Sequence, residues 1–456
     1  MLEFIEELVN FTWGAIHRGG AQTQARGVTL GHLVRDESVT TQPLALSQTQ
    51  RTMHVATLGK TGSGKSSLLR HMAEQDIKAG RGFLYFDLHG DATQFLLRTI
   101  AHRELTIQEE LHEQVVVVAP GDREFSVSLN PLDQGEPSFV RIGEFTRLLM
   151  QRWGLDRFGA RTDELLRNSL YVLAANGLTL LELAPLLTHA AFRASCLKKV
   201  PNSEVRQYFE LRYNKASEPM QATMREPILN KTSAFTADPS FRPIVGQQRS
   251  TFSMVEAMDE GRWIIADLPK GKLGDQSLTL GGLIFTIAKN ALFTRKKRTL
   301  FTIYVDEFQN FTVNDSGIET VLSEARKFGV SIVSANQYLS QYPDEMRAAI
   351  LSVGTQVFFQ LSPPDATHIA QALDGGKSLA ERLKNLPQRH FIVKSGANRW
   401  QEGRVPTVDV PQVSATELLN RARKRHARSH AVIEQEINER HKVLTQPANE
   451  VRDVWE

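Results

Sequence analysis

The sequence has 456 residues, which is too long for one typical domain and short for three. Hydrophobic residues make up 41% of it, the fraction expected of a globular protein with a sizeable core. With 54 basic and 51 acidic side chains the net charge is +3, so any basic surface for nucleic acid must be local. The single cysteine, Cys196, excludes an intrachain disulfide and a cysteine-ligated metal cluster, and a reducing cytoplasm fits this composition.

Residues 1–50 are predicted to contain an N-terminal helix and a short β segment. The opening MLEFIEELVNFTWGAIHRGG has an apolar stripe, but glutamates at positions 3, 6 and 7 interrupt it. This stretch is too short and too charged to span a bilayer, and it lacks the basic opening of a signal peptide. We expect an amphipathic helix here, short strands and turns over residues 27–50, and no membrane span in the chain.

The chain from residue 51 is predicted to be an α/β domain. A helix is expected from Lys65 to Ala79. Strands that are rich in β-branched or aromatic residues and bounded by Gly or Pro are expected at 53–59, 82–90, 113–120, 262–269, 300–308, 329–336, 355–361 and 389–395. Near-continuous apolar strands that alternate with helices indicate a mostly parallel sheet covered on both faces.

A helical region interrupts this domain. Residues 138–235 carry Leu, Ala, Arg and Glu at helical spacing, with helix start and stop signals. We therefore predict an all-helical insertion, which divides the α/β domain into a first part at 51–137 and a second part at 236–410. Residues 411–456 form a charged tail, which is predicted to be helical from Ala415 to His441.

The segment GKTGSGKS, residues 59–66, matches the phosphate-binding pattern G-x-x-x-x-G-K-[ST] between a predicted strand and a predicted helix. Its glycines let backbone N–H groups curl around phosphates, and the helix N-terminus adds positive potential. Lys65 is expected to reach the β- and γ-phosphates of ATP, and Ser66 to hold Mg²⁺. The predicted nucleotide-binding residues are Gly59, Lys60, Thr61, Gly62, Ser63, Gly64, Lys65, Ser66 and Ser67.

An acidic pair ends the apolar strand of LFTIYVDEFQNF. Ligand sites of parallel sheets lie at the carboxyl ends of the strands, so Asp306 is expected to hold the magnesium shell. Glu307 is the candidate general base that aligns the attacking water. The alternative is a surface turn, although an adjacent acidic pair after a buried strand is costly without a cation nearby.

Two amides end the next predicted strand, GVSIVSANQ. If this strand lies beside the strand of the phosphate-binding loop, an amide there can sense the γ-phosphate through a water. Gln337 is the first candidate for that role and Asn336 the second. Capping of the strand end is the alternative.

A third polar group, Asp87, His89 and Asp91, ends the strand that follows the helix of the phosphate-binding loop. These residue types could ligate a metal. A hydrogen-bonded turn near the nucleotide or the next subunit is the expected role.

Four segments together resemble the HerA/FtsK superfamily of P-loop DNA motors: GKTGSGKSSLLRHMAEQDIKAGRGFLYFDLHGDA, YVDEFQNF, ARKFGVSIVSANQYLSQ and LKNLPQRHFIVKS. The resemblance covers about residues 27–410 and is nearest to soluble HerA-like helicases and to TraG/TraD-type coupling ATPases of conjugation. It implies a RecA-like core that forms a ring, usually a hexamer, around DNA, with ATP between subunits. Two departures are Leu88, where many relatives have proline, and the lack of the membrane-spanning helices of coupling proteins, which favours a soluble member.

The resemblance also implies that an arginine of the neighbouring subunit completes each ATP site. Such an arginine stabilises charge that develops during phosphoryl transfer. Arg326, between the acidic strand and the strand of Gln337, is one candidate, and Arg225 in TMREPILNKTSAF is another. For each, an ordinary surface arginine is the alternative.

DNA contacts of a ring motor need pore-facing phosphate donors and little base readout. Candidates are the loop 269–276 with Lys270 and Lys272, the basic run at 294–298, and the tail at 421–430. Basic runs are often only solvated surface. The first two candidates are better placed for a pore, and the tail could bind another subunit or a partner.

The sequence therefore favours an ATP-driven, ring-shaped translocase or helicase on double-stranded DNA. No nuclease motif, zinc site or base-reading module is recognisable, so a partner nuclease or effector would act on a separate chain. The alternatives are a soluble type IV secretion or conjugation coupling ATPase, or an ATP-dependent scaffold for a partner effector in a defence complex. Glu307 favours real hydrolysis, because a scaffold needs no general base.

Overall fold

The computed structural model describes residues 27–133, 138–312 and 318–445, so the helix predicted within residues 1–20 lies outside the described part. The chain forms two compact units. Unit 1 comprises the described residues up to Val116 together with Val255–Asp267 and Ala291–Arg421. Unit 2 comprises Val117–Met254, Leu268–Asn290 and the described residues from Ala422 onward. The five-part domain division drawn from the sequence stays a prediction.

The strands carry the architecture of unit 1, apart from a two-stranded pair in unit 2. In chain order they are β1 (Val28–Arg35), β2 (Ser38–Leu46), β3 (Val55–Leu58), β4 (Phe83–Asp87), β5 (Val115–Val118), β6 (Phe125–Ser126), β7 (Trp263–Asp267), β8 (Phe301–Asp306), β9 (Val330–Asn336), β10 (Thr355–Phe358), β11 (His390–Ser395), β12 (Gln401–Arg404) and β13 (Arg428–Ser429).

Eleven of these strands form one sheet in the order β2-β1-β12-β11-β10-β3-β9-β8-β4-β7-β5. The consecutive strands from β10 to β7 run parallel, as predicted. All residues of β3, β8 and β9 are buried, which matches their near-continuous apolar sequences. The mostly parallel, RecA-like α/β fold predicted from the sequence is confirmed.

One side of the sheet is antiparallel. β11 pairs antiparallel with β10, and β12, β1 and β2 extend the same side. The sequence placed the segment 389–395 in the parallel series. Two short helices between β10 and β11, Pro363–Ala372 and Gly376–Lys384, return the chain to the edge where β10 ended, and β11 therefore runs back along it.

The helices fall into both units. In chain order they are α1 (Gln48–Thr52), α2 (Lys65–Ala79), α3 (Ala92–Ile107), α4 (Phe139–Arg152), α5 (Ala160–Ala175), α6 (Leu183–Thr188), α7 (Ala190–Leu197), α8 (Ser203–Gln207), α9 (Glu218–Thr236), α10 (Arg242–Val245), α11 (Met254–Glu260), α12 (Lys270–Leu273), α13 (Gln276–Thr294), α14 (Gln309–Thr312), α15 (Ile318–Glu324), α16 (Asp344–Leu351), α17 (Pro363–Ala372), α18 (Gly376–Lys384), α19 (Thr416–His426) and α20 (His430–Thr445). A π-helix, Tyr208–Tyr213, follows α8, and short 3-10 turns complete the series.

A buried ionic cluster joins α2 to the sheet of unit 1. The carboxylate of Asp76 accepts hydrogen bonds from Arg51 at 2.7 and 2.6 Å, from Arg81 at 2.6 Å and from the Tyr304 hydroxyl at 2.6 Å. Arg51, Asp76 and Tyr304 are fully buried. Burial alone would raise the pKa of Asp76, but the two guanidinium groups outweigh it and hold that pKa below its usual range.

The helices α4 to α10 form much of unit 2, and the tail packs against them. The tail was predicted as one continuous helix, but it breaks between α19 and α20, where β13 pairs with β6 and the His430 N–H donates to the Glu124 carbonyl. Ile433 and Ile437 of α20 then pack on Leu181. Strand pairing with a segment that is distant in sequence therefore interrupts a stretch whose local sequence favours a helix.

A buried acid anchors the end of α20. The carboxylate of Glu182 accepts from Arg440 Nε at 2.8 Å and from the Thr179 N–H and hydroxyl at 2.8 Å each, and it lies 3.2 Å from His441 Nε2. Burial would raise the pKa of Glu182, but the hydrogen bond with His441 and the charge of Arg440 lower it. The glutamate is therefore ionised at neutral pH and fixes the tail helix.

One helix of the described residues, α13, is long and apolar enough to cross a membrane by length and composition. Its apolar window is 78% buried inside the protein. A core helix of a folded domain passes the same test, so this feature is weak support for a membrane span.

Candidate nucleotide-binding site

The phosphate-binding loop lies between β3 and α2, as the motif predicts. Gly62 and Gly64 have φ angles of +76° and +125°, which side chains disfavour. A Cβ on Gly64 would lie 2.9 Å from Arg389 Cα, and one on Gly59 would lie 2.6 Å from Phe359 Cβ. The glycines are therefore needed for backbone conformation at two positions and for close approach at two.

Lys65 crosses the loop from the start of α2. Its Nζ donates to the carbonyl of Gly59 at 2.6 Å and to that of Lys60 at 3.0 Å. Only 7% of Lys65 is exposed. Burial lowers the pKa of Lys65, while the charges of Asp306 and Glu307 act in the opposite direction. The ammonium group is thus held at the inner side of the loop, next to two carboxylates.

The two predicted magnesium ligands meet. Ser66 Oγ donates to Asp306 Oδ2 at 2.8 Å. Asp306 ends β8 and is 7% exposed. Burial raises its pKa, although the Ser66 hydrogen bond and the Lys65 charge partly oppose the shift. A hydroxyl and a buried carboxylate are the oxygen ligands that Mg²⁺ prefers, so these residues fit that ion.

Glu307 has a strained backbone conformation. Its φ is +54°, in the left-handed region that non-glycine residues rarely adopt. Asn310 Nδ2 donates to one carboxylate oxygen at 2.9 Å, and Gln337 Nε2 donates to the other at 3.2 Å. The amide predicted as sensor therefore contacts the predicted base. Asn310 was not identified from the sequence, although its position three residues after Glu307 on the next turn was a usable signal.

Asn336 is engaged elsewhere. β9 lies beside β3, which was the condition set for a sensor at this strand end, with Leu58 opposite Asn336. The Asn336 side chain donates to Gln309 and accepts from the Tyr342 hydroxyl, and its carbonyl accepts the Gly59 N–H at 3.1 Å. Its contacts are those of a strand-end cap, whereas Gln337 reaches Glu307.

Asp87 organises a turn and the start of α3. Its carboxylate accepts the N–H groups of His89, Gly90, Ala92 and Thr93 and the Thr93 hydroxyl, at 2.7 to 3.3 Å. In the described ranges, no group of three or more His, Cys, Asp and Glu could hold a metal ion. Burial raises the pKa of Asp306, and the proximity of His89 acts in the opposite direction. Asp91 lies 3.5 Å from Arg70.

The two candidate trans arginines, Arg326 and Arg225, lie in different units of the chain. Arg326 lies in the 3-10 turn Ala325–Phe328 before β9, at the opposite end of the strand from Gln337. It lines a cavity of about 340 Å³ together with His54. Arg225 lies on α9 of unit 2 and bonds to Glu218 at 2.5 Å.

Several basic residues predicted near DNA take part in intrachain ion pairs. The segment with Lys270 and Lys272 was predicted as a loop but forms the single helical turn α12. Arg295 in the run 294–298 is 6% exposed and bonds to Asp259. In the tail, acidic partners are found for Arg421 (Glu104), Arg423 (Asp122) and Arg428 (Glu436).

The loop before β11 contacts the phosphate-binding loop from outside. The Arg389 N–H donates to the Ser63 carbonyl at 2.7 Å, and Gln388 Nε2 donates to the Gly62 carbonyl at 3.2 Å. Sequence reasoning missed both residues. They lie more than 300 positions after the predicted nucleotide site. The only signal for them was their place in LKNLPQRHFIVKS, the last of the four segments that resemble the HerA/FtsK superfamily.

Comparison with known proteins gives one family match. Residues 28–149 match the sequence profile of the family described as Helicase HerA, central domain. No curated protein matches the sequence significantly.

Solved structures match most of the chain. The unbound bacterial conjugative coupling protein TrwBdeltaN70 has a TM-score of 0.63 at 14% identity, covering 87% of this chain and 94% of that chain. Plasmid coupling protein TrwB in complex with ADP and Mg²⁺ has a TM-score of 0.62 at 15% identity, with coverage of 87% and 94%. VirB4 of Thermoanaerobacter pseudethanolicus has a TM-score of 0.57 at 15% identity, with coverage of 84% and 97%.

At these identities the structural matches concern the fold, and the sequence profile concerns residues 28–149. The chain thus has the RecA-like P-loop fold seen in TrwB and resembles the HerA/FtsK-type ATPases, as its motifs predicted.

Proposed function

We propose that this protein is an ATPase of the HerA/FtsK type that works as a ring-shaped motor on double-stranded DNA. The observation that carries the proposal is the convergence of Lys65, Ser66, Asp306, Glu307 and Gln337 at the carboxyl edge of β3, β8 and β9. Each of these side chains contacts or electrostatically influences another, although they come from three separate segments. Ligand sites of parallel sheets lie at this edge.

The residues have distinct roles in the proposal. Lys65 and the N–H groups of the loop bind the phosphates of ATP. Ser66 and Asp306 would hold Mg²⁺, which when bound supplies positive charge to the phosphate oxygens. Glu307 orients the attacking water, and Gln337 fixes one Glu307 oxygen by a hydrogen bond. Nucleotide and Mg²⁺ binding by the structurally similar TrwB supports this assignment.

The proposed assembly is a homo-oligomeric ring, in which a neighbour supplies the arginine. Arg326 is our first candidate because it is exposed and lies at the strand end opposite Gln337, where its own subunit's site is out of reach. Arg225 is the second candidate, and its pairing with Glu218 would have to break. A hexamer and a cytoplasmic location are part of the same proposal.

One further candidate function has an observation of its own. The TrwB match covers 87% of the chain, whereas the HerA profile covers residues 28–149. A soluble coupling ATPase of a type IV secretion or conjugation system is therefore the second candidate. A scaffold for a nuclease or other effector is less favoured, because a scaffold does not need the hydrogen-bonded base Glu307.

Steady-state ATP hydrolysis with and without double-stranded DNA tests the proposal, with the wild type beside Glu307→Gln. We expect DNA to stimulate the wild type and the variant to bind ATP without hydrolysing it. ATP hydrolysis that DNA does not stimulate would contradict the motor on double-stranded DNA and would favour the secretion ATPase. Normal turnover by Glu307→Gln would overturn the assignment of the base.

Mixed subunits test the trans arginine. Arg326→Ala and Glu307→Gln should each be inactive alone. In a mixed ring some interfaces combine an intact Glu307 with an intact Arg326, so mixing should restore part of the activity. The same mixture with Arg225→Ala discriminates between the two arginines, and failure of both mixtures would contradict an interface arginine.

A further inference from the structure

The outer side of the phosphate-binding loop is held by two consecutive residues from a distant loop. Arg389 donates its N–H to the Ser63 carbonyl, and Gln388 donates its side-chain amide to the Gly62 carbonyl. These are two successive peptide groups in the middle of the loop. Gly64 is needed at the same place, because a Cβ there would meet Arg389 Cα at 2.9 Å.

The planarity of the peptide bond gives these contacts a consequence for phosphate binding. In a trans peptide, the carbonyl of one residue and the N–H of the next point in opposite directions. Carbonyls of Gly62 and Ser63 that face outward therefore turn the N–H groups of Ser63 and Gly64 inward. The Ser63 N–H does point into the loop, toward the Lys60 carbonyl at 3.3 Å. Inward N–H groups are the donors that hold phosphate in such loops.

Arg389 is fixed in an unfavourable conformation to make its contact. Its φ is +66°, in the left-handed region, which costs an L-residue free energy. Two further contacts hold it there: its carbonyl accepts the Val405 N–H at 2.9 Å, and its guanidinium donates to the Thr407 hydroxyl at 2.5 Å. It also directly precedes β11. A strained residue that is held from several sides is typical of a functional position.

We propose that Gln388 and Arg389 are positioning residues that orient the phosphate-binding loop from outside its concave face. The inference rests on the proposed function, since it assigns a role in binding the nucleotide of the same subunit. Gln388 acts through its side-chain amide. Arg389 acts through its backbone N–H, and the hydrogen bond of its guanidinium to Thr407 offsets the strain of the left-handed conformation that presents this N–H to Ser63.

Nucleotide affinity of the full-length protein tests the inference, with the fluorescent analogue mant-ADP as the probe and the ATP KM beside it. Gln388→Ala and Arg389→Ala should each weaken mant-ADP binding about fivefold, which is the change in Kd that corresponds to the free energy of one ordinary hydrogen bond. The ATP KM should rise by a similar factor while kcat stays within about twofold, because the loop contacts the phosphates before and during the reaction. Gln42→Ala, on the exposed edge strand β2, is the control and should bind as the wild type does.

Arg389→Gly separates the backbone role from a role of the guanidinium. Glycine adopts the left-handed conformation without strain, so the N–H should still reach Ser63. We expect Arg389→Gly to bind mant-ADP more tightly than Arg389→Ala and within about twofold of the wild type, as loss of less than one hydrogen bond implies.

Three results would overturn the inference in distinguishable ways. Wild-type affinity in both alanine variants would show that the outer contacts position nothing. Equal losses in Arg389→Ala and Arg389→Gly would assign the effect to the guanidinium. A wild-type protein that binds no mant-ADP would overturn the proposed function itself, and with it the role given to these residues.

Discussion

Replacement of Asp76 by asparagine should destabilise unit 1 strongly. The carboxylate accepts from both terminal nitrogens of the Arg51 guanidinium, from Arg81 and from Tyr304, and Asp76 and Arg51 have no exposed surface. Asparagine keeps the size of the side chain but leaves the buried Arg51 guanidinium without a counter-charge. Removal of one partner from a buried ion pair costs about 3–5 kcal/mol, and we expect a loss of free energy of unfolding in that range.

The assay must report on unit 1 alone. Trp263 is fully buried on β7, and its Nε1 donates to the Arg81 carbonyl at 2.9 Å, next to the cluster. Urea denaturation followed by fluorescence, in a background that keeps Trp263 as its only tryptophan, therefore measures the relevant unfolding. Asp344→Asn is the matched control, because Asp344 is exposed and its pair with Arg347 at 3.1 Å should contribute less than about 1 kcal/mol.

A loss in Asp76→Asn as small as that in Asp344→Asn would refute the reasoning. The pH dependence is a second check on the same cluster. Because the pKa of Asp76 is lowered in the folded protein, its stabilising contribution is present above the pKa of the unfolded chain and is lost as pH falls through the folded value. Asp76→Asn should therefore show a flatter fall of stability in acid than the wild type.

Asp306→Asn should raise the stability of the nucleotide-free protein by about 0.5–2 kcal/mol, since it removes a buried carboxylate of raised pKa, and should abolish the increase in Tm caused by ADP with Mg²⁺. Gly64→Ala should weaken mant-ADP binding more than tenfold, because Gly64 has a φ of +125°, which alanine disfavours. Gly121→Ala is the control and should leave mant-ADP binding unchanged, because the space around Gly121 is open. The lowered pKa of Glu182 means that its stabilising contribution is present at neutral pH and is lost as pH falls through the folded value, so the protection factors of residues 430–445 in hydrogen exchange, taken relative to the intrinsic rate at each pH, should fall in acid. Glu182→Gln should show fast exchange at pH 7, and slow exchange there would contradict the role of Glu182 as the anchor of α20.

Local patterns were sufficient for the parts of the site that are contiguous in sequence. The loop from Gly59 to Ser66 could be predicted because its glycines, lysine and serine stand together between a strand and a helix. Asp306 and Glu307 could be predicted because an acidic pair after a buried strand needs a reason to be there. Both inferences use only the chemistry of neighbouring residues and the known edge of parallel sheets.

Local patterns failed where a distant segment decided the conformation. The tail has an unbroken helical pattern, yet Arg428–Ser429 pairs with a strand about 300 positions earlier and breaks it. The helical turn at Lys270–Leu273 was predicted as a loop, and Pro269, Gly271 and Gly274 lie within or beside it. Secondary structure in such places depends on tertiary contacts, which the intrinsic helix and strand propensities of the residues do not describe.

The sequence by itself determined the candidate phosphate-binding loop, the mostly parallel fold and the resemblance to HerA/FtsK-type proteins, because these depend on short motifs and on the period of apolar residues. Only the tertiary structure decided which amide meets Glu307, that Asp76 gathers three buried partners, and that Gln388 and Arg389 hold the loop at Gly62 and Ser63. These contacts join segments that are up to 326 residues apart. Their geometry follows from the order of the strands in the sheet, which one chain's local preferences do not specify.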